Sequence, residues 1–159
     1  MRAVPGILVV LSALALDQAI KVWVEASLPL HFPVEVLPFF SLFRTYNTGI
    51  AFSFLSDLGD TPLVLLTTAI SGFIIWLWTR TSQQQWISRL GFAFVIGGAA
   101  GNLVDRIRLG HVVDYVLLHA GQWSFAVFNL ADSFITVGAG LVLIDELMQI
   151  RRERRNEAG

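Results

Sequence analysis

Two aspartates in polar segments of a largely apolar chain are the residues best suited to catalysis. Asp114 lies in the segment 110–115 and Asp132 in the segment 128–132. Because moving an ionised carboxylate into hydrocarbon is costly, acidic residues in or beside apolar spans are functional-site candidates by default. Two carboxylates that share a proton supply both an acid and a base. The pair is therefore a candidate hydrolytic site.

The composition indicates a membrane protein of one domain, covering residues 1–159. The chain is 55% hydrophobic and 14% charged, against roughly 25% charged in soluble domains. Its net charge of −1 gives no sign of nucleic-acid binding. Cysteine is absent from the sequence, which excludes disulfides, thiolate metal sites and a cysteine nucleophile.

Four apolar stretches predict transmembrane helices at about 4–24, 62–78, 87–104 and 130–150. Each is near the ~20 residues that cross the hydrocarbon core. The first could instead be a signal peptide, with Arg2 before it and a small-residue cleavage motif at 13–15. Apolar residues continue past Leu16, which favours a retained helix. The predicted fold is an all-α membrane protein of four transmembrane helices with a small extracytoplasmic β element.

Basic residues predict the orientation of the four spans. One side of the membrane would hold Arg2, Arg80, Arg89, Arg151, Arg152, Arg154 and Arg155. By the positive-inside rule, both termini and the 79–86 loop are cytoplasmic. The C-terminal arginines could also form a patch for nucleic acid or anionic lipid, but the topology rule already accounts for them.

This topology brings the polar residues of the spans together at the outer membrane boundary. They are Asp17 and Lys21 of the first span, Asn102, Asp105 and Arg106 of the third, and Asn129 and Asp132 of the fourth. Asn47 and Asp114 belong to the outer segments 25–61 and 107–128. Spacings of three or four residues put partners on one helix face. The alternatives are an intrahelical Asp17–Lys21 ion pair that eases insertion and snorkelling of Arg106.

Glycines at 97, 98 and 101 predict close helix packing in the third span, because small residues let helices approach within a bilayer. A phosphate-binding loop is the competing interpretation. It would need a preceding strand and a following Lys-Ser/Thr, and the sequence has neither.

Alternating segments outside the spans predict a small sheet on the outer face. The candidate strands are Val34–Leu37, 40–45, 112–118 and 123–128. The last two would form a hairpin with a four-residue loop at 119–122.

Other catalytic apparatus has less support in the sequence. His31, His111 and His119 show no metal-binding spacing, so we expect neither a metal nor a cofactor. Lys21 is the only lysine, and neither Ser12 nor Ser27 is its i,i+4 partner. A serine–lysine hydrolase would need a serine brought close by the fold.

Five motifs in order resemble those of the bacterial lipoprotein signal peptidases (signal peptidase II). They are DQAIK at 17–21, NTGIAF at 47–52, GGAAGNLVDR at 97–106, VVDY at 112–115 and FNLAD at 128–132. The resemblance thus spans residues 17–132. Tyr115 departs from it, since the family commonly has phenylalanine there, but both side chains are aromatic.

The resemblance implies an aspartic endopeptidase that cleaves prolipoproteins before a diacylglyceryl-modified cysteine. Carried over, Asp114 and Asp132 are catalytic. Substrate-binding roles fall to Asn47, Gly49, Asn102, Arg106 and Asn129, and supporting roles to Asp17, Lys21 and Asp105. The implied partners are diacylglyceryl prolipoproteins and membrane phospholipid, with no nucleic acid. The implied protein is a monomer in the bacterial inner membrane, with its active site at the outer face.

Two other classes remain open on the residues alone. A transporter or proton relay would cluster polar residues at the bilayer midplane within repeated halves, and the sequence has neither feature. A membrane assembly subunit would use the polar residues for helix association only. It would not need an aspartate on each side of an outer hairpin.

Overall fold

The computed structural model describes residues 3–49, 61–121 and 123–157. Residues 50–52 of one motif and Gln122 of the expected hairpin loop lie outside these ranges. In chain order the helices are α1 (Ala3–Ser27), α2 (Thr61–Arg80), α3 (Trp86–Leu109) and α4 (Leu130–Glu157). The strands are β1 (Val34–Leu37), β2 (Phe40–Asn47), β3 (Val112–Ala120) and β4 (Trp123–Ser124).

The described residues contain four helices that are long and apolar enough to cross a membrane, one at each of the four stretches that the sequence predicted. Three of them extend well past the expected ends, since α1 reaches Ser27, α3 reaches Leu109 and α4 reaches Glu157. Hydropathy marks where apolar residues stop, whereas a helix continues while its backbone hydrogen bonds can be made. Helix α3 ends at Gly110, whose left-handed conformation (φ 74°) lets its N–H bond to Arg106 O.

Helix α3 is the centre of the bundle and packs against the other three helices. Its glycines allow close approach, as the sequence predicted. A Cβ at Gly98 would overlap the main-chain oxygen of Ala131 in α4. At Gly101 it would overlap the carboxylate of Asp17 in α1. The start of α4 and the polar part of α1 therefore lie directly against the same turns of α3.

An antiparallel sheet, in the order β1-β2-β3-β4, confirms the expected β element. Thr45 of β2 lies opposite Asp114 of β3, beyond a register shift between Leu42 and Thr45. The prediction of a four-residue hairpin loop was wrong. Strand β3 continues through Ala120, which pairs with Trp123, so only residues 121 and 122 separate the strands.

The sheet is fixed to the end of α1 by packing and by one arginine. Val24 of α1 packs with Val113 and Tyr115 of β3 in the buried core. Arg44 of β2 donates from Nη1 to Glu25 O over 2.8 Å and to Leu28 O over 3.1 Å. A guanidinium there satisfies carbonyls left open at the helix end and complements the helix dipole.

Candidate active site

Asp114 is a buried carboxylate in β3, with only 2% of its surface exposed. Its Oδ1 accepts a 2.6 Å hydrogen bond from Asn129 Nδ2, and its Oδ2 accepts one of 3.0 Å from Asn47 Nδ2. Burial, together with a smaller contribution from the charge of Asp132, raises the pKa of Asp114 from an ordinary value of 3.8 to about 6. The hydrogen bond from Asn47 opposes this shift. Asp114 thus retains a proton more readily than an ordinary aspartate.

Asp132 occupies the third position of α4, where a helix start favours negative charge. Its Oδ2 accepts the main-chain N–H of Asn129 over 3.2 Å, while its own N–H donates to Asn129 Oδ1 over 3.0 Å. This reciprocal pair is a capping box built from asparagine and aspartate. Asn102 of α3 donates from Nδ2 to the other oxygen, Oδ1, over 2.8 Å. The helix start and α3 together fix this carboxylate.

A groove of about 430 Å³ opens beside Asp132, which is only half-buried. Its other lining residues are Phe125, Phe128, Ser133, Thr136 and Val137. Asp132 therefore has access to a partly apolar space, while Asp114 is enclosed by the sheet and its two asparagines. The two carboxylates sit in unlike environments, and such differences separate acid from base in enzyme sites.

Lys21 is the centre of a group of polar contacts behind the two candidate carboxylates. Its buried Nζ lies 2.9 Å from Asp17 Oδ2 and 2.7 Å from Asp105 Oδ2. It also donates to Asn102 Oδ1 over 3.0 Å. Because lysine only donates hydrogen bonds, this contact turns the Asn102 amide nitrogen toward Asp132. The expected intrahelical Asp17–Lys21 pair is present, but it belongs to a wider network.

The two acidic partners of Lys21 connect α1 and α3 to the elements that carry the candidate pair. Asp17 Oδ1 accepts the N–H of Ala131 at the start of α4 over 3.0 Å. Asp105 Oδ2 accepts the N–H of Val113 in β3 over 3.3 Å. One cation and two carboxylates thus join the beginnings of the two segments that contain Asp114 and Asp132.

Gly49 and Arg106 are the two remaining residues for which a substrate-binding role was predicted. Gly49 (φ 74°) donates its N–H to Asn47 Oδ1 over 2.9 Å, which orients the Asn47 amide nitrogen toward Asp114. Arg106 lies one turn beyond Asn102 on α3, and its buried Nε has no hydrogen-bond partner in the described part of the chain. Among the contacts described, it makes none with either carboxylate.

Two contributing residues were missed from the sequence. Gln18 donates to Asp105 Oδ1 over 2.9 Å and to Gly101 O over 3.2 Å. Its position beside Asp17 within an apolar span was the available signal. Tyr115 accepts the N–H of Leu130 at its hydroxyl over 3.1 Å. Burial raises the pKa of Tyr115 to about 12, so its hydroxyl stays protonated.

The four-helix fold with a polar cluster at one end defines a multi-pass membrane enzyme. A solved structure described as a bacterial membrane enzyme, at 1.9 Å by the in meso method, matches with a TM-score of 0.82 and 26% identity. The match covers 92% of this chain and 94% of that one. A second such structure, at 2.3 Å, gives a TM-score of 0.81 and covers 94% and 91% of the two chains.

Residues 9–148 match the family model for Signal peptidase (SPase) II. Proteins called lipoprotein signal peptidase are similar over most of the chain. Identity is 55% with the one from Mesorhizobium japonicum, with 96% of this chain and 90% of that protein covered. It is 53% with the one from Allorhizobium ampelinum, with 96% and 94% covered. The chain belongs to the signal peptidase II family: it is an aspartic-type membrane peptidase that removes signal peptides from prolipoproteins.

Proposed function

We propose that Asp114 and Asp132 are the catalytic pair of this peptidase. The observation that carries the proposal is their shared contact with Asn129. Its side chain donates to Asp114, while its main-chain N–H donates to Asp132. One residue therefore holds two carboxylates from separate elements side by side, as a mechanism with two acidic groups requires.

In the proposed mechanism Asp132 is the base and Asp114 the acid. Asp132 stands at a helix start beside an open groove, so its carboxylate can take a proton from water while the hydroxide attacks the scissile carbonyl carbon. Protonated Asp114 donates its proton to the carbonyl oxygen. Asp132 then passes its proton to the leaving amine nitrogen as the C–N bond breaks, and the tetrahedral intermediate returns a proton to Asp114. Both groups end in their starting states.

The asparagines set the positions of the two carboxylates. Asn102 and Asn129 hold Asp132, while Asn47 and Asn129 hold Asp114. We assign Arg106 and Gly49 to substrate contact. The unpartnered Arg106 Nε on the Asn102 side of α3 supports this role for Arg106, and family membership supports it for Gly49. Lys21, Asp17 and Asp105 are supporting residues.

We further propose that the substrate carries a diacylglyceryl group on the cysteine after the cleaved bond. Family membership supports this substrate. Burying each methylene is worth ~0.8 kcal/mol, so two acyl chains offer ample energy for positioning. A synthetic prolipopeptide with an unmodified cysteine should be cut far more slowly than its diacylglyceryl form. Equal rates would contradict lipid recognition.

The direct test of the pair replaces each aspartate in turn. Asp114→Asn and Asp132→Asn should each abolish almost all cleavage of the diacylglyceryl prolipopeptide, because an amide cannot serve as either acid or base. Asp145→Asn is the matched control. Asp145 is also a buried aspartate, hydrogen-bonded to Ser88 Oγ over 2.6 Å, but it lies toward the other end of α4. Near-normal turnover by either site variant would refute the assignment.

The proposed setting is a single-domain monomer, spanning residues 1–159, in the bacterial inner membrane. Its termini are cytoplasmic, its active site is at the outer face, and its exposed apolar helix surfaces contact phospholipid. The distribution of basic residues supports this orientation. Since the chain has no cysteine, Ser124→Cys and Gln84→Cys are clean reporters. An impermeant thiol reagent should label Ser124→Cys in intact cells and Gln84→Cys only after permeabilisation. The opposite pattern would invert the orientation.

A further inference from the structure

An open cleft lies between α2 and α4. Both helices pack on α3, and the space left between them has a volume of about 610 Å³. Phe92 and Val95 of α3 line it, and its walls include Ile74, Leu77, Val142 and Leu143. The cleft is thus apolar over most of its length and lies within the membrane-spanning part of the protein.

One face of α4 connects this cleft to the candidate catalytic pair. Asp132, Thr136, Ala139, Leu143 and Glu146 follow each other at intervals of four, three, four and three residues, which places them in one stripe. Asp132 and Thr136 line the groove at the active site, while the other three line the cleft. At 1.5 Å per residue the stripe is about 21 Å long. Groove and cleft therefore share one continuous wall.

The far end of the stripe carries an unpaired negative charge. The exposed carboxylate of Glu146 makes no hydrogen bond or ion pair with any residue that the structure describes. Arg80 also lines this end, but its guanidinium lies over the Trp76 ring of α2, 5.6 Å from the ring centroid. A positively charged segment arriving along α4 would thus meet Glu146.

We propose that the cleft holds the apolar helix of the substrate's signal peptide, antiparallel to α4. The cleavage site would lie at Asp132 and the positively charged N-terminal region at Glu146. A signal peptide has a basic start followed by 7–15 apolar residues, and the 14-residue interval from Asp132 to Glu146 fits that length. Within lipid such a segment must be helical to satisfy its backbone. This inference rests on the proposed catalytic role of Asp132, because that role fixes which end of the peptide meets it.

Two neighbouring aliphatic residues of α4 provide a matched test of peptide binding in the cleft. Leu143 is 60% exposed and faces the cleft, whereas Ile144 is 53% exposed and lines neither the cleft nor the groove. Leu143→Trp should lower kcat/KM about tenfold on a full-length diacylglyceryl prolipopeptide, since even one misplaced methylene can cost that much. It should leave unchanged the cleavage of a short diacylglyceryl peptide that lacks the apolar segment. Ile144→Trp should leave both unchanged.

The two substrates separate the alternatives. If a membrane phospholipid occupied the cleft instead, Leu143→Trp would affect the full-length and short peptides equally, and the proposal would be overturned. An unchanged kcat/KM on both peptides would overturn it as well. Failure of the catalytic assignment is a separate result, because it would appear as retained activity of Asp132→Asn on either peptide.

Charge exchange tests the direction of the bound peptide. Glu146→Lys should weaken cleavage of a peptide with a basic N-terminal region, and a peptide with an acidic region there should restore it. Glu153→Lys is the control, since Glu153 is an exposed acid on α4 outside the cleft. Equal effects of the two substitutions, or no rescue by the acidic peptide, would show that the N-terminal region does not lie at Glu146 and would overturn the proposed direction of the peptide.

Discussion

Asn129 Nδ2 donates a 2.6 Å hydrogen bond to Asp114 Oδ1, so the residue that caps α4 also contacts the strand beside it. The same amide nitrogen donates to Asn102 Oδ1 over 3.2 Å. Its amide oxygen accepts the N–H of Asp132. The side-chain amide of one buried residue is therefore fully engaged by α3, β3 and α4. The separation of the two carboxylates depends on the start of α4 and on the register of β3 together.

The activity should decline as pH rises through about 6, because Asp114 must be protonated to act as the acid. Asn47→Leu removes a donor that lowers the pKa of Asp114, so the alkaline limb of the kcat/KM profile should move to higher pH. Thr45→Val is the control, since Thr45 faces Asp114 across the ladder without a side-chain hydrogen bond in the described residues. A limb that stays in place, or moves to lower pH, would contradict the role of Asp114.

The elevated pKa of Asp114 should also appear in the stability of the protein. Between pH 3.8 and about 6 the folded state binds more protons at this group than the unfolded state does, so stability falls as pH rises through that window. The loss of stability across this window amounts to about 3 kcal/mol and is complete above the folded-state pKa. Asp114→Asn lacks this titration. Its melting temperature relative to wild type should therefore be higher at about pH 7.5 than at about pH 4.

Thermal unfolding in one detergent at both pH values measures this difference. Any cost of placing an amide beside Asn47 and Asn129 is the same at both, and so cancels. The same comparison with Asp145→Asn provides the background for a buried aspartate elsewhere in α4. A relative melting temperature that does not change with pH would mean that Asp114 titrates normally.

Gly98→Ala should separate α3 from α4 and weaken catalysis. The new Cβ would meet the main-chain oxygen of Ala131, which cannot move without displacing the start of α4. Overpacking of this kind costs about 1–3 kcal/mol. Gly140→Ala, where a Cβ meets nothing within 4 Å, should be neutral or slightly stabilising. Equal melting temperatures and rates for the two variants would show that this close approach is not required.

Lys21→Met should destabilise the fold by about 3–5 kcal/mol, because it leaves two buried carboxylates without their cation. Adding Asp105→Asn should recover part of that loss. Arg108→Met serves as the control, since Arg108 is exposed at the end of α3. The measurement is the melting temperature of the purified variants. If Lys21→Met alone were as stable as wild type, the charges of Lys21, Asp17 and Asp105 would not be energetically coupled.

Much of the fold followed from the sequence, because apolar length and residue spacing are local properties. The spans, the strand Val34–Leu37 and the close packing at Gly98 needed only composition and spacing. The grouping of polar residues at one end followed from the alternating direction of the helices. By contrast, spacing placed Asn129 and Asp132 on one helix face without revealing the bond from Asn129 to Asp114.

That bond depends on how β3 is placed beside α4, which is a long-range property. The lengths of the hairpin and of α3 were missed for another reason. Each depends on where backbone hydrogen bonding stops, at Trp123 and at Gly110, and hydropathy does not report it. The contribution of Gln18 was missed because its partners, Asp105 and Gly101 O, lie more than 80 residues away in the chain.

Helix α2 has no buried residue along Thr61–Arg80, although it forms one wall of the cleft. The surroundings of its side chains are therefore mostly the acyl chains of the bilayer and only partly the protein. Extraction into detergent replaces the lipid around α2, whereas the side chains between α3 and α4 keep their contacts with each other. Detergents that solvate a single exposed helix poorly will consequently perturb this wall first, and the choice of amphiphile will alter the width of the cleft before it alters the polar cluster.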